Sequence, residues 1–539
     1  MPPWLVRNLI LPTLDRLIGR PTAAMLRELT LSQHATHDEL RVLQTRKLRA
    51  LLSHAHARCR GYRARIDAAA IEPAVANLES LARLPTLSKD DIRAAMRPWL
   101  EAADDTRARR DVRTTAVDHH DSLCDPVVPG GLHRYTTGGS SGEPLIFFVD
   151  RRRQAADQAA RTWTRRWFGI EPGDRELYLW GAPVELRAHD RLRSLRDRLI
   201  NHRLISAFDM TPRAMDAALH AMRRFRPVHV FGYPSSLARL AEHAMAQVSW
   251  APSVSGRRSR GATESQNRTV TGFQNRTVTG FQNRTATVRE RRNTLPATVP
   301  RLARAGGGPG GPAPRAVFTT GEPLLPCDRD TLQAFFGVPV ADGYGSREAG
   351  FIAHECPAGR MHVNMGHVIV ELLDDAGRPV AAEEPGEIVV THLEAWGMPL
   401  IRYRTGDVAR WNSRPCPCGL AHAALAGIEG RRGDLIRTPE GNAAHALAAI
   451  YPLRECPYVR RFHVVQRADF SLDVFVTGEL PEAVRARLER DVARQFRDRL
   501  TVRLHVAADL PPAPSGKHVV VRSEVETESR LAFQTEPRP

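Results

Sequence analysis

Apolar residues along the chain follow two rhythms, one helical and one of short strand-length runs. Residues 38–67 (DELRVLQTRKLRALLSHAHARCRGYRARID) carry Leu40, Leu43, Leu48, Leu51 and Leu52 on one broad helical face. In LPTLSKDDIRAAM, Ser88 sits where a helix N-cap is needed, with Asp90 and Asp91 in the first turn beside the unsatisfied N–H groups. Further on, the runs ELYLWG, VHVFGY, AVFTTG and VPVADGY have strand length and apolar character. Helical stretches such as RRRQAADQAARTWTRRWF and SSLARLAEHAMA lie between them. This alternation predicts an α/β fold with a mostly parallel sheet. Beyond residue 433 the rhythm changes. FHVVQ and SLDVFVTG have the pattern of antiparallel strands, and PEAVRARLERDVARQFRDRL lines up Val484, Leu488, Val492, Phe496 and Leu500. TVRLHVAADL supplies one more strand, completing a small α+β unit. The expected organisation is an N-terminal body over 1–432 and a C-terminal domain over 433–539.

One segment breaks the pattern. QNRTVTGF at 266–273 repeats at 274–281 and starts again at Gln282, flanked by SGRRSRGATES and AGGGPGGPAP. An eight-residue period in three copies cannot bury a core, so residues 250–312 are expected to be a disordered, low-complexity insertion. The insertion also changes how the charge is understood. The 539 residues carry 77 basic and 60 acidic groups, a net +17, which by itself invites a nucleic-acid or anionic-membrane function. Residues 251–304 hold eleven arginines against Glu264 and Glu290, a net +9, leaving +8 on the other 485 residues. The segment lacks interleaved aromatics apart from Phe273 and Phe281, so no nucleic-acid partner is expected.

The basic set is lopsided: lysine occurs only at Lys47, Lys89 and Lys517, against 74 arginines. A retained lysine marks a place where a compact ammonium cannot be exchanged for a planar guanidinium. Seven irregularly spaced cysteines make no disulfide framework. The N-terminal apolar stretch from Trp4 to Leu11 is broken by Arg7 and stopped by Pro12, too short for a signal core or a spanning helix. No membrane partner is expected, and the expected location is cytoplasmic.

Candidate chemistry begins at YTTGGSSGEPLIFFVD, residues 135–150. Glycines and hydroxylic residues before an apolar strand suit a loop whose N–H groups cradle phosphate oxygens, although it is not a Walker A motif. Downstream follow FTTGEPL (318–324), DGYGSREAG (342–350), YRTGD (403–407), IEGRRGD (428–434) and PSGKHVVVRSEV (514–525). Six motifs in this order and rough spacing resemble the adenylate-forming enzymes, the superfamily of acyl-CoA synthetases and adenylation domains. The likeness is nearest to the phenylacetate–CoA ligase family, in its branch associated with capsular polysaccharide biosynthesis. LRNLILPTLDRLIGR, GYGSRE, HECPAGRMH and PCPCG carry that likeness, which covers the chain apart from about 250–312.

The resemblance implies a large α/β body with a small mobile α+β C-terminal domain, and a reaction in which ATP activates a carboxylic acid before transfer to coenzyme A. Thr137, Gly138, Gly139, Ser140, Ser141 and Gly142 would hold the β- and γ-phosphates; Glu143 stands where many relatives carry lysine. Gly321, Glu322 and Pro323 would line the adenine pocket, with Tyr344 stacked on the base and Gly345 beside it. Glu348 would bind Mg²⁺. Arg347 replaces the usual threonine or serine, so the hydroxyl role at the α-phosphate falls either to Ser346 or to the guanidinium. Asp407 would accept the ribose hydroxyls, Arg431 would assist, Asp434 would be the hinge, and Lys517 would enter the site during adenylation. Transfer to an amine, hydroxyl or carrier protein is the alternative for the second step, and an inactive homologue is a further one.

Trp180, Phe231, Tyr233 and Phe318 are candidates for the acid pocket, with an aryl acid implied by the family alone. Cys416 and Cys418, with Cys356 and His362, offer four ligands suited to structural, tetrahedral Zn²⁺. A buried reduced pair is the competing reading, and His354 the rival fourth ligand. The expected partners are ATP and a small-molecule acid, and a homodimer is left open.

Overall fold

The computed structural model describes residues 1–104, 123–124, 128, 131–136, 145–181, 196–207, 210–247, 314–431, 435–439, 443–446, 449–450, 452–453, 456–510 and 519–525, with backbone alone for 97–104, 435 and 443–445. The insertion, the loop 137–142, Glu143, Asp434 and Lys517 lie outside the described residues.

After a helical segment at residues 3–18 come α1 (Thr22–Ser32), α2 (His37–Arg58) and α3 (Arg60–Ala68). The helical face expected over 38–67 therefore forms as two helices. The break falls at Cys59, whose backbone is extended (φ −115°, ψ 106°). Tertiary packing accounts for it: α3 turns to bury Tyr62, whose hydroxyl donates to the Pro399 carbonyl at 2.6 Å. Helix α4 (Lys89–Asp104) starts at Ser88 as expected. Ser88 Oγ accepts from Asp91 N at 3.1 Å while Asp91 Oδ2 accepts from Ser88 N at 2.7 Å, a reciprocal cap. The remaining helices named here are α5 (Arg151–Arg166), α6 (Pro212–Phe225), α7 (Pro234–Ala246), α8 (Pro326–Phe336) and α9 (Glu482–Gln495).

Strands β1 (His133–Thr136) and β2 (Ile146–Val149) pair as a hairpin on either side of residues 137–145. The main sheet has eleven strands: β3 (Glu176–Trp180), β4 (His202–Ser206), β5 (His229–Gly232), β6 (Ala316–Thr320), β7 (Val340–Ser346), β8 (Gly350–Glu355), β9 (Met361–Val363), β10 (Val368–Leu373), β11 (Gly386–His392), β12 (Tyr403–Trp411) and β13 (Ala424–Arg431). Their order is β10-β11-β12-β13-β9-β8-β7-β6-β5-β3-β4. The five strands from β4 to β7 run parallel, and they include all four runs expected from the sequence. From β7 onward every pairing is antiparallel, an extension the sequence pattern does not separate out. Helices α6, α7 and α8 pack on the parallel half around Leu177, Leu237 and Val317. Helices α2, α3 and α4 cover the antiparallel half around Leu48, Ile352 and Tyr403.

After the short pair β14 (Leu435–Arg437) and β15 (Ala443–His445), a four-stranded sheet closes the chain in the order β18-β17-β16-β19. It comprises β16 (Arg461–Gln466), β17 (Leu472–Thr477), β18 (Val502–Val506) and β19 (Val521–Ser523), and packs against α9 through Leu488 and Val492. The hairpin β16–β17 is antiparallel as expected. Arg461 joins this unit to the body, donating from Nη2 to Asp328 of α8 at 2.6 Å and to Glu242 of α7 at 3.2 Å.

One of the three lysines explains itself here. The Lys47 ammonium reaches Glu28, Glu394 Oε1 at 2.6 Å and the Gly366 carbonyl at 2.8 Å, three acceptors for three donors. Glu394 is 1% exposed, so losing its cation leaves a buried charge held only by Arg152 among the described residues. Lys47→Ala is expected to cost about 3 kcal/mol or more in chemical denaturation. Lys47→Arg should also destabilise, because a planar fork cannot face three convergent acceptors. Equal stability of Lys47→Arg and wild type would contradict this account.

Candidate functional site

In an open parallel sheet, ligands bind beyond the carboxyl ends of the strands where the strand order reverses. Here the chain runs from β3 outward to β4 and then returns to β5 on the other side, so the reversal falls between β3 and β5. The residues at that point are Trp180, ending β3, and Tyr233, following β5; their rings stack with centroids 4.2 Å apart. Tyr233 is buried and donates its hydroxyl to the Gly181 carbonyl at 3.0 Å, whereas Trp180 is half-buried and also stacks on Phe231. Phe318 is buried one strand over, edge-on to Phe168.

The turn after β6 lies directly on this stack. Gly321 has φ +87°, and a Cβ there would sit 3.1 Å from Tyr233 and 3.5 Å from Trp180, so only glycine fits. Glu322 uses Oε1 to accept from Ser235 N at 2.8 Å, capping the start of α7. Pro323 completes the turn.

Strand β7 then carries the polar half of the site. Tyr344 donates its hydroxyl to Asp407 Oδ2 at 2.9 Å, and Arg431 donates from Nε to Asp407 Oδ1 at 3.1 Å. Asp407 and Arg431 are register partners on β12 and β13, so the sheet itself places them face to face. Burial pushes the Asp407 carboxyl up and the Arg431 charge opposes that shift. YRTGD, DGYGSRE and the start of IEGRRGD therefore meet at one point.

Glu348 is 5% exposed and accepts a hydrogen bond at Oε1 from Tyr403, the first residue of YRTGD, at 3.0 Å. Among the described residues Oε2 has no protein donor, which suits a carboxylate able to ligate a hard cation such as Mg²⁺. Ser346 spends its hydroxyl locally, accepting from Ala349 N at 2.9 Å. Arg347 donates to the carbonyl of Thr136, the last residue of β1, at 3.1 Å. Arg347 thus ties the Glu348 turn to the end of β1. Gly345 is pressed against Gly350, its Cβ position 2.3 Å from that carbonyl.

Lys89, which no motif in the sequence singles out, belongs here. It opens α4, and neighbouring Leu87 is stitched to β12 by Leu87 N to Arg402 O at 2.8 Å and Arg404 N to Leu87 O at 2.9 Å. Burial and Arg431 pull its basicity down, while Glu348 and Asp407 hold it up. Among the described residues its ammonium has no hydrogen-bond partner. Its rarity was the available signal: one of three lysines, directly after a helix cap.

The cysteine set also assembles. Cys356 Sγ and Cys416 Sγ are 3.6 Å apart and Cys418 Sγ lies 3.3 Å from His362 Nε2, with all four ligand atoms within 4.8 Å of one another. A tetrahedral ion with metal–sulfur bonds of about 2.3 Å separates its sulfurs by roughly 3.8 Å, close to this spacing. His362 Nδ1 pairs with the His422 carbonyl at 2.9 Å, directing Nε2 at the thiols. His354 instead pairs with its neighbour's carbonyl at 2.8 Å and stands outside the group.

Asp342 heads the GYGSRE motif. Burial and the adjacent Glu355 push its carboxyl up to about 7, against the Thr319 hydroxyl donating at 2.8 Å. An acid group raised in the folded state stabilises fully below its ordinary value near 3.8 and loses that contribution as pH climbs through about 7. Relative to Asp342→Asn, which keeps the acceptor and cannot ionise, wild-type stability is expected to fall between about pH 4 and 8. A flat difference in denaturation midpoint across that range would contradict the assignment.

Comparison with known proteins agrees with this geometry. Residues 204–393, which include FTTGEPL and DGYGSREAG, match the AMP-binding enzyme family. Phenylacetate–coenzyme A ligase of Thermus thermophilus is 29% identical over 157 residues, 28% of this chain. The aligned part is 35% of that relative's length. Among solved structures, 2-hydroxyisobutyryl-CoA ligase in its postadenylation state superposes with a TM-score of 0.61 at 17% identity, covering 93% of both chains. An open conformation of that ligase with its acyl-adenylate and CoA gives a TM-score of 0.52 at 18% identity, over 88% of this chain and 89% of the other. The chain shares the α/β fold of this acyl-CoA ligase, and its residues 204–393 are similar to the AMP-binding enzyme family.

Proposed function

We propose that this protein activates a carboxylic acid with ATP and transfers the acyl group to coenzyme A. The observation that carries this reading is the convergence of Asp407, Tyr344, Arg431 and Glu348 on the sheet that contains the strand-order reversal. In the first half-reaction a carboxylate oxygen attacks the α-phosphorus. The bond to the bridging oxygen breaks, and its electron pair leaves with pyrophosphate. In the second, the thiol sulfur of CoA attacks the acyl carbon, AMP departs with the carboxylate oxygen, and the thiol proton is lost to solvent.

Each residue has a task in this scheme. Asp407 accepts the ribose hydroxyls in place of the Tyr344 hydroxyl, freeing that ring to lie against adenine. Residues 137–142 take the β- and γ-phosphates on backbone N–H groups. Glu348 would hold Mg²⁺, whose charge would offset that of the phosphates. Glu143 brings no cation to the loop, and Lys89, facing Glu348 and Asp407, supplies one from α4. Lys517, carried on residues 433–539 turning about Asp434, meets the developing charge at the α-phosphate. The Trp180–Tyr233 stack supports a flat, apolar acid, with an aryl acid the first choice. Cys356, His362, Cys416 and Cys418 would hold a structural Zn²⁺, which would link the β8–β9 region to the PCPCG turn.

ATP–pyrophosphate exchange across a panel of aryl and aliphatic acids is the primary test; exchange with none of them would sink the reading. Lys517→Ala should abolish exchange while sparing thioester formation from a supplied acyl-adenylate. Lys89→Ala should lower exchange by about tenfold or more, chiefly through weaker ATP binding. Products formed with and without CoA separate a thioester from transfer to an amine, hydroxyl or carrier protein. For the cysteine site, elemental analysis of reduced protein is expected to give one zinc per chain. Chelation or Cys418→Ser should lower the unfolding temperature, and a protein free of zinc would end that assignment.

A further inference from the structure

Among 74 arginines, Arg153 occupies an unusual position: it is only 3% exposed, and no motif points to it. It lies in the first turn of α5, where Asp150 caps the helix by accepting from Arg153 N at 2.7 Å. Its guanidinium meets the backbone around Glu348. Nη1 donates to the Glu348 carbonyl at 2.8 Å and Nη2 to the Arg347 carbonyl at 3.3 Å. Nε donates to Asp157 Oδ2 at 2.9 Å, and the other oxygen of Asp157 accepts from Phe351 N at 3.0 Å. The arginine and its aspartate thus hold the chain on both sides of the turn, from residue 347 to residue 351.

Two features show how closely this grip is fitted. Gly350 has φ +83°, and a Cβ there would lie 2.6 Å from Arg153 Nη2 and 2.7 Å from Asp157 Oδ1. The turn therefore admits only glycine, and the guanidinium fills the space a side chain would take. Burial works against the Asp157 charge, yet Arg153 beside it holds the carboxyl well below the usual carboxylate range, so the pair stays charged. The Asp157 side chain keeps 35% of its surface in solvent, so the pair contributes little net stability. Its effect here is geometric.

We infer that Arg153, with Asp157, is a positioning residue that fixes the Ser346–Gly350 turn so that the Glu348 carboxylate is presented to the metal ion accompanying ATP. The inference rests on the role given to Glu348 above. Arg347, bonded to the Thr136 carbonyl, carries the same restraint to the stem of the 137–142 loop. The Glu348 turn and the end of β1 are then tied to one anchor on α5. Lysine cannot replace it, because a single ammonium does not reach two successive carbonyls and a carboxylate in one plane.

The test is ATP binding by full-length protein, measured without acid or CoA, across a Mg²⁺ titration. Wild type should bind ATP more tightly as Mg²⁺ rises, and Glu348→Gln should remove that dependence. Arg153→Lys should raise the Mg²⁺ concentration for half-maximal tightening by about 10- to 100-fold, while ATP binding without Mg²⁺ changes less than about twofold. Asp157→Asn, which keeps the guanidinium, should shift the same midpoint in the same direction by less, and it decides the matter should Arg153→Lys not fold. Parallel loss with and without Mg²⁺ would mean a merely structural arginine and overturn the proposal. So would an unchanged midpoint in Arg153→Lys, or in Asp157→Asn where that variant decides. If Glu348→Gln leaves the Mg²⁺ dependence intact, the reading of Glu348 fails and this inference with it; if only the Arg153 and Asp157 variants behave like wild type, this inference alone fails.

Discussion

A carboxylate withdrawn from water has to be met by donors or a cation, and that requirement organises this molecule. Glu394 sits between Lys47 and Arg152, Asp157 under Arg153, Glu348 against Tyr403, and Asp407 between Tyr344 and Arg431. Most of these pairings join elements far apart in the chain, so the charges fix the relation of helices to sheet. Hydrophobic contact alone would tolerate small slides of α2 or α5 along the sheet; a desolvated ion pair does not, because a lost partner costs several kcal/mol. Two glycines mark how closely other side chains approach the backbone beside these groups. Gly350 is bare because a guanidinium occupies its side-chain space, and Gly366 because Leu29 lies 2.5 Å from its Cβ position, next to the carbonyl that Lys47 grips.

The sheet divides the work. Its parallel half supplies a reversal of strand order, marked by the Trp180–Tyr233 stack packed against the Gly321 turn. Its antiparallel half supplies the polar groups, since register pairing across β12 and β13 sets Asp407 opposite Arg431. Strand β7 belongs to both halves and carries Tyr344 and Ser346 at the seam.

Some of this is legible in the residue order alone. The Ser88 cap can be located because its acidic partner stands three residues on. The spacing of Cys416 and Cys418, with His362 six residues after Cys356, suffices to nominate four ligands, and the sheet brings those four together. Lysine scarcity points to special positions without saying what each one does: Lys47 is a tripod between acidic groups, and Lys89 faces the site. Arg153 is invisible at that level, since one arginine among 74 has no local pattern. The break at Cys59 is equally hidden, because the helical periodicity runs through it and only the burial of Tyr62 interrupts it.

Local rules in the sequence are therefore enough for the α/β class, the four parallel runs, the cap at Ser88 and the ordered motifs, all of which depend on residues near one another in the chain. Tertiary structure decides which of those residues meet. Tyr344 reaches Asp407 across 63 positions, Arg153 reaches Glu348 across 195, and Lys47 reaches Glu394 across 347. Periodicity records which face of an element is buried. The partner waiting on that face is settled only when desolvated charges across the whole chain are matched at once.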